Sequence, residues 1–183
     1  MVGRACLHPG ARGQPPSLAQ SWRLSNGLSL PADGFYAETP DARAGIVEIS
    51  GRRCAFSQSA ASTFVDGRPD RHDGTGPADT ANAAALADFA DLGIRTDGAF
   101  RLEHAGATGD LLLTPIPGSA PFRAEISLSA SFVAGAPSPT APAVTAVEPI
   151  EPSLDATWPD WSQKDGALSL SLDAKAFAYR IVF

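Results

Sequence analysis

The sequence is poor in cysteine and lysine. Its 183 residues include two cysteines, Cys6 and Cys54, and we expect two thiols rather than a disulfide between them, which leaves the redox compartment open. Lysine occurs only at Lys164 and Lys175, although the chain has 14 basic residues. We interpret this preference for arginine, together with abundant alanine, glycine and proline, as the codon bias of a GC-rich bacterial genome.

Long apolar runs and clusters of positive charge are also missing. No stretch approaches the roughly eighteen apolar residues of a membrane helix. Residues 1–20 lack the apolar run of about seven residues that a secretory signal needs, so we expect a soluble chain without an export signal. Its localisation stays open, secreted or cytoplasmic, if the natural start lies upstream. The net charge is −6 with acids and bases interspersed, so we expect no membrane and no nucleic-acid partner.

The sequence contains no strong catalytic motif. A Gly-x-Ser-x-Gly nucleophile elbow is missing, and the serines of the predicted strands occupy solvent-facing positions. Glycosidase chemistry would need two carboxylates across one cleft, such as Asp97 with Glu103 or Glu125, and sequence spacing does not test that arrangement. We therefore favour a chain without catalytic activity and assign no catalytic residue.

The clearest pattern that is present is the run 122–132, in which apolar and polar residues alternate. Phe122, Ile126 and Phe132 fall on one side at a period of two, and Arg123 and Glu125 fall on the other. This pattern predicts a long, half-buried strand of an antiparallel sheet. A register shift by one residue would turn the apolar side toward water, so the register is well specified.

Short β-forming runs fill most of the remaining chain. Turn-forming residues between them predict hairpins with turns at 26–27, 50–52, 105–109 and 173–175. The continuous apolar run 111–113 predicts a strand that is buried on both faces. One helix is predicted at about 80–92, where Leu86, Phe89 and Leu92 form a stripe and Gly93 stops the helix.

These elements predict a mainly β protein, an antiparallel β-sandwich with one short α-helix at about 80–92. No repeat of fixed period is present, which argues against a propeller or a solenoid. We expect a flexible leader at 1–20, followed by a single domain at 21–183. A proline-rich crossover between sheets is predicted at about 133–143.

The strand texture of the segments 96–102, 112–122 and 176–183 resembles the β-sandwich domains that follow the catalytic barrel in multidomain glycoside hydrolases. The resemblance loosely covers 45–183. It implies an accessory domain that supports the barrel or contacts glycan, with the catalytic carboxylates elsewhere. The expected partner is therefore a glycan or a catalytic domain of the same or another chain, and this chain would be the C-terminal part of a larger enzyme.

A tryptophan-rich loop is the candidate ligand site. Trp158 and Trp161 flank Asp160, and paired indoles in an exposed loop can stack on sugar rings while an acid binds hydroxyl groups. The alternative is that both indoles pack against the core. We predict a ligand site formed by Trp158, Asp160 and Trp161, and we leave this alternative open.

The loop after residue 65 is the candidate metal site. Asp66, Asp70 and Asp73 are able to offer oxygen ligands to calcium, whereas neighbouring arginines would repel it, and the alternative is a solvated loop with internal Arg–Asp pairs. No other cofactor is expected. His72 beside Asp73 raises a further hypothesis, a small hydrolase that uses Asp70, His72 and Asp73. A structural or assembly domain of a virion or surface is another, because the long strands look able to pair at a sheet edge.

Overall fold

The structure is a computed structural model that describes residues 28–29, 35–38, 42–49, 52–68, 86–105, 109–128 and 141–183. These residues form fourteen β-strands and a 3₁₀ turn at Ala90–Leu92, and none of their helical segments is long and apolar enough to cross a membrane. The strands are β1 (Leu28–Ser29), β2 (Phe35–Glu38), β3 (Ala42–Ile49), β4 (Arg52–Ser59), β5 (Ser62–Asp66), β6 (Ala87–Phe89), β7 (Ile94–Thr96), β8 (Ala99–His104), β9 (Leu111–Pro115), β10 (Phe122–Ser127), β11 (Ala146–Pro152), β12 (Asp160–Lys164), β13 (Ala167–Leu172) and β14 (Ala176–Val182).

The strands form two sheets. The large sheet has nine strands in the order β1-β3-β4-β5-β8-β9-β14-β11, and β2 also pairs with β3. The small sheet has five strands in the order β12-β13-β10-β7-β6. All of these pairs are antiparallel, as the alternating apolar and polar residues predict.

The two sheets pack face to face around one apolar core. Phe100 of β8 stacks on Phe122 of β10, with ring centroids 5.9 Å apart and ring planes 7° from parallel. Phe56 of β4 meets Phe89 of β6 edge to face, with centroids 6.3 Å apart. Each contact joins the large sheet to the small one. The fold is therefore an antiparallel β-sandwich, which confirms the predicted fold class.

Strand β10 has the predicted apolar face but not the predicted length. Its side chains at 122, 124 and 126 are buried, as is that of Leu128. The strand ends at Ser127, and Leu128 lies in a turn where its N–H donates to the carbonyl of Gly166 at 2.9 Å. Residues 129–132 lie outside the described residues. β10 is an interior strand, because it pairs with β13 on one side and β7 on the other.

The predicted helix at 80–92 is wrong over its described part, which begins at residue 86. Ala87 and Phe89 are buried on either side of exposed Asp88, and this strand pairs with β7. A 3₁₀ turn follows, and Gly93 ends it in the left-handed region with φ 63°. A stripe at intervals of three also fits a strand followed by a turn, so sheet pairing overrode helix propensity here. Residues 80–85 lie outside the described residues.

The predicted hairpin at 173–175 is also wrong, although both of its strands exist. β13 pairs with β10 and β12 in the small sheet, whereas β14 pairs with β9 and β11 in the large sheet. Residues 173–175 therefore carry the chain from one sheet to the other. An alternating pattern on both sides of a turn fits a crossover as well as a hairpin, since both arrangements bury one face of each strand.

Two of the three remaining predicted hairpins can be compared with strand pairs of the structure. β3 and β4 form the predicted pair around 50–51, and β8 pairs with β9 as expected. Leu111 and Leu113 are buried but Leu112 is only half-buried, so the prediction of a strand buried on both faces holds for one face. The turn at 26–27, the leader at 1–20, Cys6 and most of the crossover at 133–143 lie outside the described residues, and the domain division stays a prediction.

A close approach between the sheets occurs at 97–98, where the chain passes from β7 to β8. A Cβ on Gly98 would lie 2.2 Å from Cγ of Phe122, so this position has room only for glycine. The hydroxyl of buried Thr96 donates to the carbonyl of Arg123 at 2.7 Å and accepts from the N–H of Gly98 at 3.0 Å. The crossing is thereby fixed against the start of β10.

Candidate functional site

The predicted ligand residues lie on and beside β12, an edge strand of the small sheet. Exposure alternates along this segment, and the side chains of Trp158, Asp160 and Ser162 are exposed while that of Trp161 is half-buried. Trp161 packs against the core. The structure therefore separates the two indoles, and Trp161 takes the packing role that was the alternative to ligand stacking.

Strand register places polar side chains beside Asp160 on the outer face of the small sheet. Asp160 pairs with Ser171, which pairs with Arg123. In the next row Ser162 pairs with Ser169, which pairs with Glu125. These six residues line a cavity of about 210 Å³, which we call the serine cavity. Its remaining lining residues are Leu86, Ala124, Trp161 and Leu170.

The polar groups of the serine cavity differ in whether they are already bonded. Within the described part of the chain, the side chains of Asp160, Ser162, Ser169 and Ser171 make no hydrogen bond and no ion pair. The two remaining charged groups are paired, because Arg123 binds Asp97 and Glu125 binds Arg95. Three hydroxyls and one carboxylate are thus available to a ligand.

Trp158 is the most exposed aromatic residue among those whose side chains the structure describes, at 76%. It does not line the serine cavity, but it lies two residues before Asp160, and both side chains are exposed while Pro159 between them is half-buried. Its neighbour Thr157 is held firmly, since the backbone N–H and the hydroxyl of Thr157 donate to Asp173 Oδ2 at 2.6 and 2.9 Å. The indole is therefore presented to solvent on an anchored backbone.

Asp173 organises this anchor from the crossover between sheets. Its Oδ1 accepts the backbone N–H of Lys175 at 3.0 Å and the hydroxyl of Tyr179 at 2.7 Å. Burial opposes ionisation of Asp173, but the hydrogen bonds from Thr157, Lys175 and Tyr179 outweigh it and lower the pKa of Asp173 from 3.8 to about 2. Burial, helped by the bond to Asp173, raises the pKa of Tyr179 to about 12.

The loop that carries Trp158 is also tied down at its start. The backbone N–H of Ser153 donates to the carbonyl of Lys175 at 2.9 Å, and Nζ of Lys175 binds Asp155 Oδ2 at 2.7 Å. Leu154 in this loop and Phe177 at the start of β14 are the two other large apolar side chains that are exposed among the described residues. The loop and the start of β14 are therefore held together, and each presents an apolar side chain to solvent.

The candidate calcium residues are only partly described. Asp66 ends β5 and accepts the guanidinium of Arg68 through Nε and Nη2, each at 2.9 Å. This is the internal Arg–Asp pair that was the alternative to calcium binding. Asp70, His72 and Asp73 lie outside the described residues, so the calcium and hydrolase hypotheses that depend on them stay predictions. No group of three or more potential ligand residues suited to a metal occurs in the part that the structure describes.

The carboxylates considered for glycosidase chemistry either face away from the small sheet or are held in ion pairs. Glu103 lies in β8 of the large sheet on the side opposite to buried Leu102, so it faces away from the small sheet. Asp97 accepts Nη2 of Arg123 at 3.1 Å, and Glu125 accepts Nη1 of Arg95 at 2.8 Å. Each of these two carboxylates is thus held in an ion pair on the small-sheet side.

The buried acid Asp110 also has a structural partner. Its Oδ2 accepts Nε and Nη2 of Arg180 at 2.8 and 2.5 Å. Asp110 directly precedes β9 and Arg180 lies in β14, so the ion pair joins neighbouring strands of the large sheet. A buried carboxylate in such a pair is satisfied and offers no ligand group.

The serines that line the cavity were not among the predicted site residues. Ser169 and Ser171 alternate with leucines, which places them on a solvent face without showing what lies beside them. Only the pairing of β13 with both β10 and β12 brings them next to Asp160 and Arg123. The signal that was available is the run of small hydroxyl residues on one face of a predicted strand.

Comparisons with known proteins do not assign the chain to a family. No family model matches it, and no curated protein or solved structure is similar enough to match. A function for this chain therefore has to be argued from the site itself.

Proposed function

We propose that this chain is a non-catalytic β-sandwich domain that binds carbohydrate on the outer face of the small sheet. One observation carries the proposal: the exposed indole of Trp158 lies two residues from Asp160, which lines a cavity with three unbonded serine hydroxyls. The face of an indole suits the apolar side of a sugar ring, and hydroxyls and a carboxylate suit its hydroxyl groups.

The size of the serine cavity favours one unit of a longer ligand. At about 210 Å³ it is smaller than the roughly 300–1,000 Å³ of pockets that enclose a whole drug-sized molecule. A polysaccharide would place one sugar in the cavity and a neighbouring sugar over Trp158. The ligand would then run along the exposed side of β12, from Ser162 toward the loop that begins at Ser153.

The accessory role is a further part of the proposal. The resemblance of the strand segments to the sandwich domains of multidomain glycoside hydrolases supports a domain that holds glycan near a catalytic partner. The carboxylates already engaged with arginines in the small sheet support a role without catalysis. The partner would be a catalytic domain in the same chain or in another one.

The alternative of an assembly domain receives no support from the described edges. The strand that suggested edge pairing, β10, is interior. Of the edge strands in the described ranges, β1, β2 and β6 have only two to four residues, and β11 contains Pro149 and Pro152, which lack the N–H that a pairing strand needs. The edge strand β12 carries the charged residues Asp160 and Lys164, which disfavour edge-to-edge pairing. We therefore advance carbohydrate binding alone.

Isothermal titration against a panel of neutral polysaccharides tests the proposal, with Trp158→Ala as the diagnostic variant. We expect binding by the wild-type protein and an affinity at least about tenfold lower for Trp158→Ala, a loss of about 1.4 kcal/mol, because the stacking surface is removed. Phe177→Ala is the matched control, since Phe177 is exposed at 64% but lies in the large sheet.

Two results would count against carbohydrate binding. One is the absence of heat with every polysaccharide in the panel. The other is an equal loss of affinity in the Trp158→Ala and Phe177→Ala variants, which would indicate that exposed aromatic surface is sticky rather than that this site is specific. Thermal unfolding of both variants should match the wild-type protein, because both side chains are solvent-exposed.

A further inference from the structure

The charges around the serine cavity are balanced except at one residue. Arg123 donates to Asp97 Oδ2 through Nε at 3.2 Å and Nη2 at 3.1 Å, and Glu125 accepts Nη1 of Arg95 at 2.8 Å. Asp160 makes no hydrogen bond or ion pair to any described residue. The charges within each of the two ion pairs cancel. Among the residues that line the cavity, Asp160 of β12 therefore carries the one negative charge without a partner.

The two lysines of the chain do not neutralise Asp160 either. Lys164 lies four residues after Asp160 in β12. At about 3.3 Å per residue the backbones of these two residues are about 13 Å apart, which exceeds a physiological Debye length of about 8 Å. Lys175 is held by Asp155 at 2.7 Å. A further acid of the small sheet, Asp88 of the edge strand β6, lies in register with Arg95 of β7.

We infer that the serine cavity selects for sugars that carry an amino group over neutral sugars and rejects sugar carboxylates, with Asp160 as the residue that determines this specificity. The inference rests on the proposed carbohydrate-binding function. An ammonium group near Asp160 gains a charge-assisted hydrogen bond. A sugar carboxylate is repelled by Asp160 and finds Arg123, the arginine that lines the cavity, already engaged by Asp97.

The test compares three oligosaccharides of equal length by isothermal titration at low salt and mildly acidic pH, where sugar amines are protonated. The probes are oligomers of glucosamine, of N-acetylglucosamine and of galacturonic acid. The first two share one sugar backbone, and they differ in whether the nitrogen is a charged ammonium or a neutral acetamide, so the ratio of their affinities is compared between wild type and variants. The variants are Asp160→Asn and, as a matched control, Asp165→Asn, which removes the same charge from an exposed position in the β12–β13 turn.

We expect the wild-type protein to bind the glucosamine oligomer about threefold more tightly than the N-acetylated one, because a single exposed ion pair contributes little binding energy. The galacturonate oligomer should show no binding. Asp160→Asn should bring the ratio of the first two affinities close to one, and Asp165→Asn should leave the ratio unchanged. Added salt should lower the wild-type ratio, because an exposed pair is screened.

The outcomes separate this inference from the proposed function. If the oligomers bind and Trp158→Ala weakens them, but Asp160→Asn leaves the ratio unchanged, the function stands and the specificity inference fails. Galacturonate binding as tight as that of the N-acetylated oligomer overturns the inference in the same way. If no oligomer and no neutral polysaccharide binds the wild-type protein, both fall together. An equal effect of both Asn variants would assign the preference to net charge and also overturn it.

Discussion

Asp173 is the residue on which the crossover between the sheets depends most directly. It lies between β13 of the small sheet and β14 of the large sheet. Its two oxygens accept four hydrogen bonds, two of them from Thr157 and one each from Lys175 and Tyr179. An ionised carboxylate accepts such bonds better than a protonated one, so the network favours the charged form.

The sign of the pKa shift gives a pH dependence. Because folding lowers the pKa of Asp173 from 3.8 to about 2, its contribution to stability is complete above pH 3.8 and is lost as the pH falls through 2. We expect Asp173→Asn to lower the free energy of unfolding by about 1–2 kcal/mol at neutral pH, allowing for partial exposure. Urea denaturation between pH 2 and 7 measures this.

The comparison with the variant identifies the source of the pH dependence. The wild-type protein should lose its advantage over Asp173→Asn between pH 4 and pH 2, because Asp173 is then protonated. Parallel stability curves over this range would show that the pH dependence comes from other carboxylates. Asp165→Asn, which removes an exposed turn carboxylate, should leave the wild-type curve almost unchanged.

Single residues also show how far the site was predictable. The sequence places Trp158 and Trp161 in one loop, and their spacing of three says nothing about the face on which each lies. Once β12 begins at Asp160, the period of two puts Trp161 on the core side and Asp160 on the solvent side. A correct strand boundary would have separated the indoles, and that boundary was missing because Pro159 suggested a loop.

At the scale of strands, alternation predicted most of the elements, and turn residues predicted two of the strand pairs, but not the pairing of β13 and β14. Leu168, Leu170 and Leu172 are buried as the pattern of β13 indicates. The same pattern does not show whether the next strand returns beside β13 or joins the other sheet, and here it joins the other sheet. The serine cavity depends on the pairing of β13 with both β10 and β12. The sequence therefore predicted that the serine hydroxyls are exposed, but not that they form a site.

The crossing at 97–98 gives a prediction about how this connection packs against strand β10. Gly98→Ala would place a Cβ 2.2 Å from the ring of Phe122 in the interior strand β10, so a strand or a ring has to move. We expect a loss of about 1–3 kcal/mol in the free energy of unfolding, as for overpacked cores, measured by chemical denaturation.

A second substitution distinguishes crowding from a general effect at this crossing. In the double variant Gly98→Ala with Phe122→Leu, the smaller side chain makes room for the new methyl group. The double variant should therefore be more stable than the sum of the two single losses predicts. Strict additivity would contradict the proposed contact between residues 98 and 122.

At the scale of the whole molecule, aromatic contacts across the core join the two sheets into one unit. Phe100 is fully buried in the large sheet and stacks on Phe122 of the small sheet. Phe100→Ala should lower the free energy of unfolding by about 3–5 kcal/mol, because it removes a buried ring and leaves a cavity between the sheets. Phe177→Ala, in the same sheet but exposed at 64%, should change it by less than about 0.5 kcal/mol.

Two spectroscopic probes report whether the sheets unfold together. Tryptophan fluorescence reports on the small sheet through half-buried Trp161, and far-UV circular dichroism reports on all strands. In both the wild-type protein and Phe100→Ala the two transitions should coincide. Separate transitions would show that each sheet is stable without the other, in conflict with a core that both sheets share.

The position of β14 determines when the large sheet can be completed during protein synthesis. β14 lies between β9 and β11, yet it is made after both, and Tyr179 finds its partner Leu113 far back in the chain. When a nascent chain has left the ribosome only as far as β11, both β9 and β11 therefore lack β14, the strand that pairs with each of them. The edge of each strand that pairs with β14 stays unpaired in that interval, and β11 joins the large sheet only when β14 pairs between it and β9.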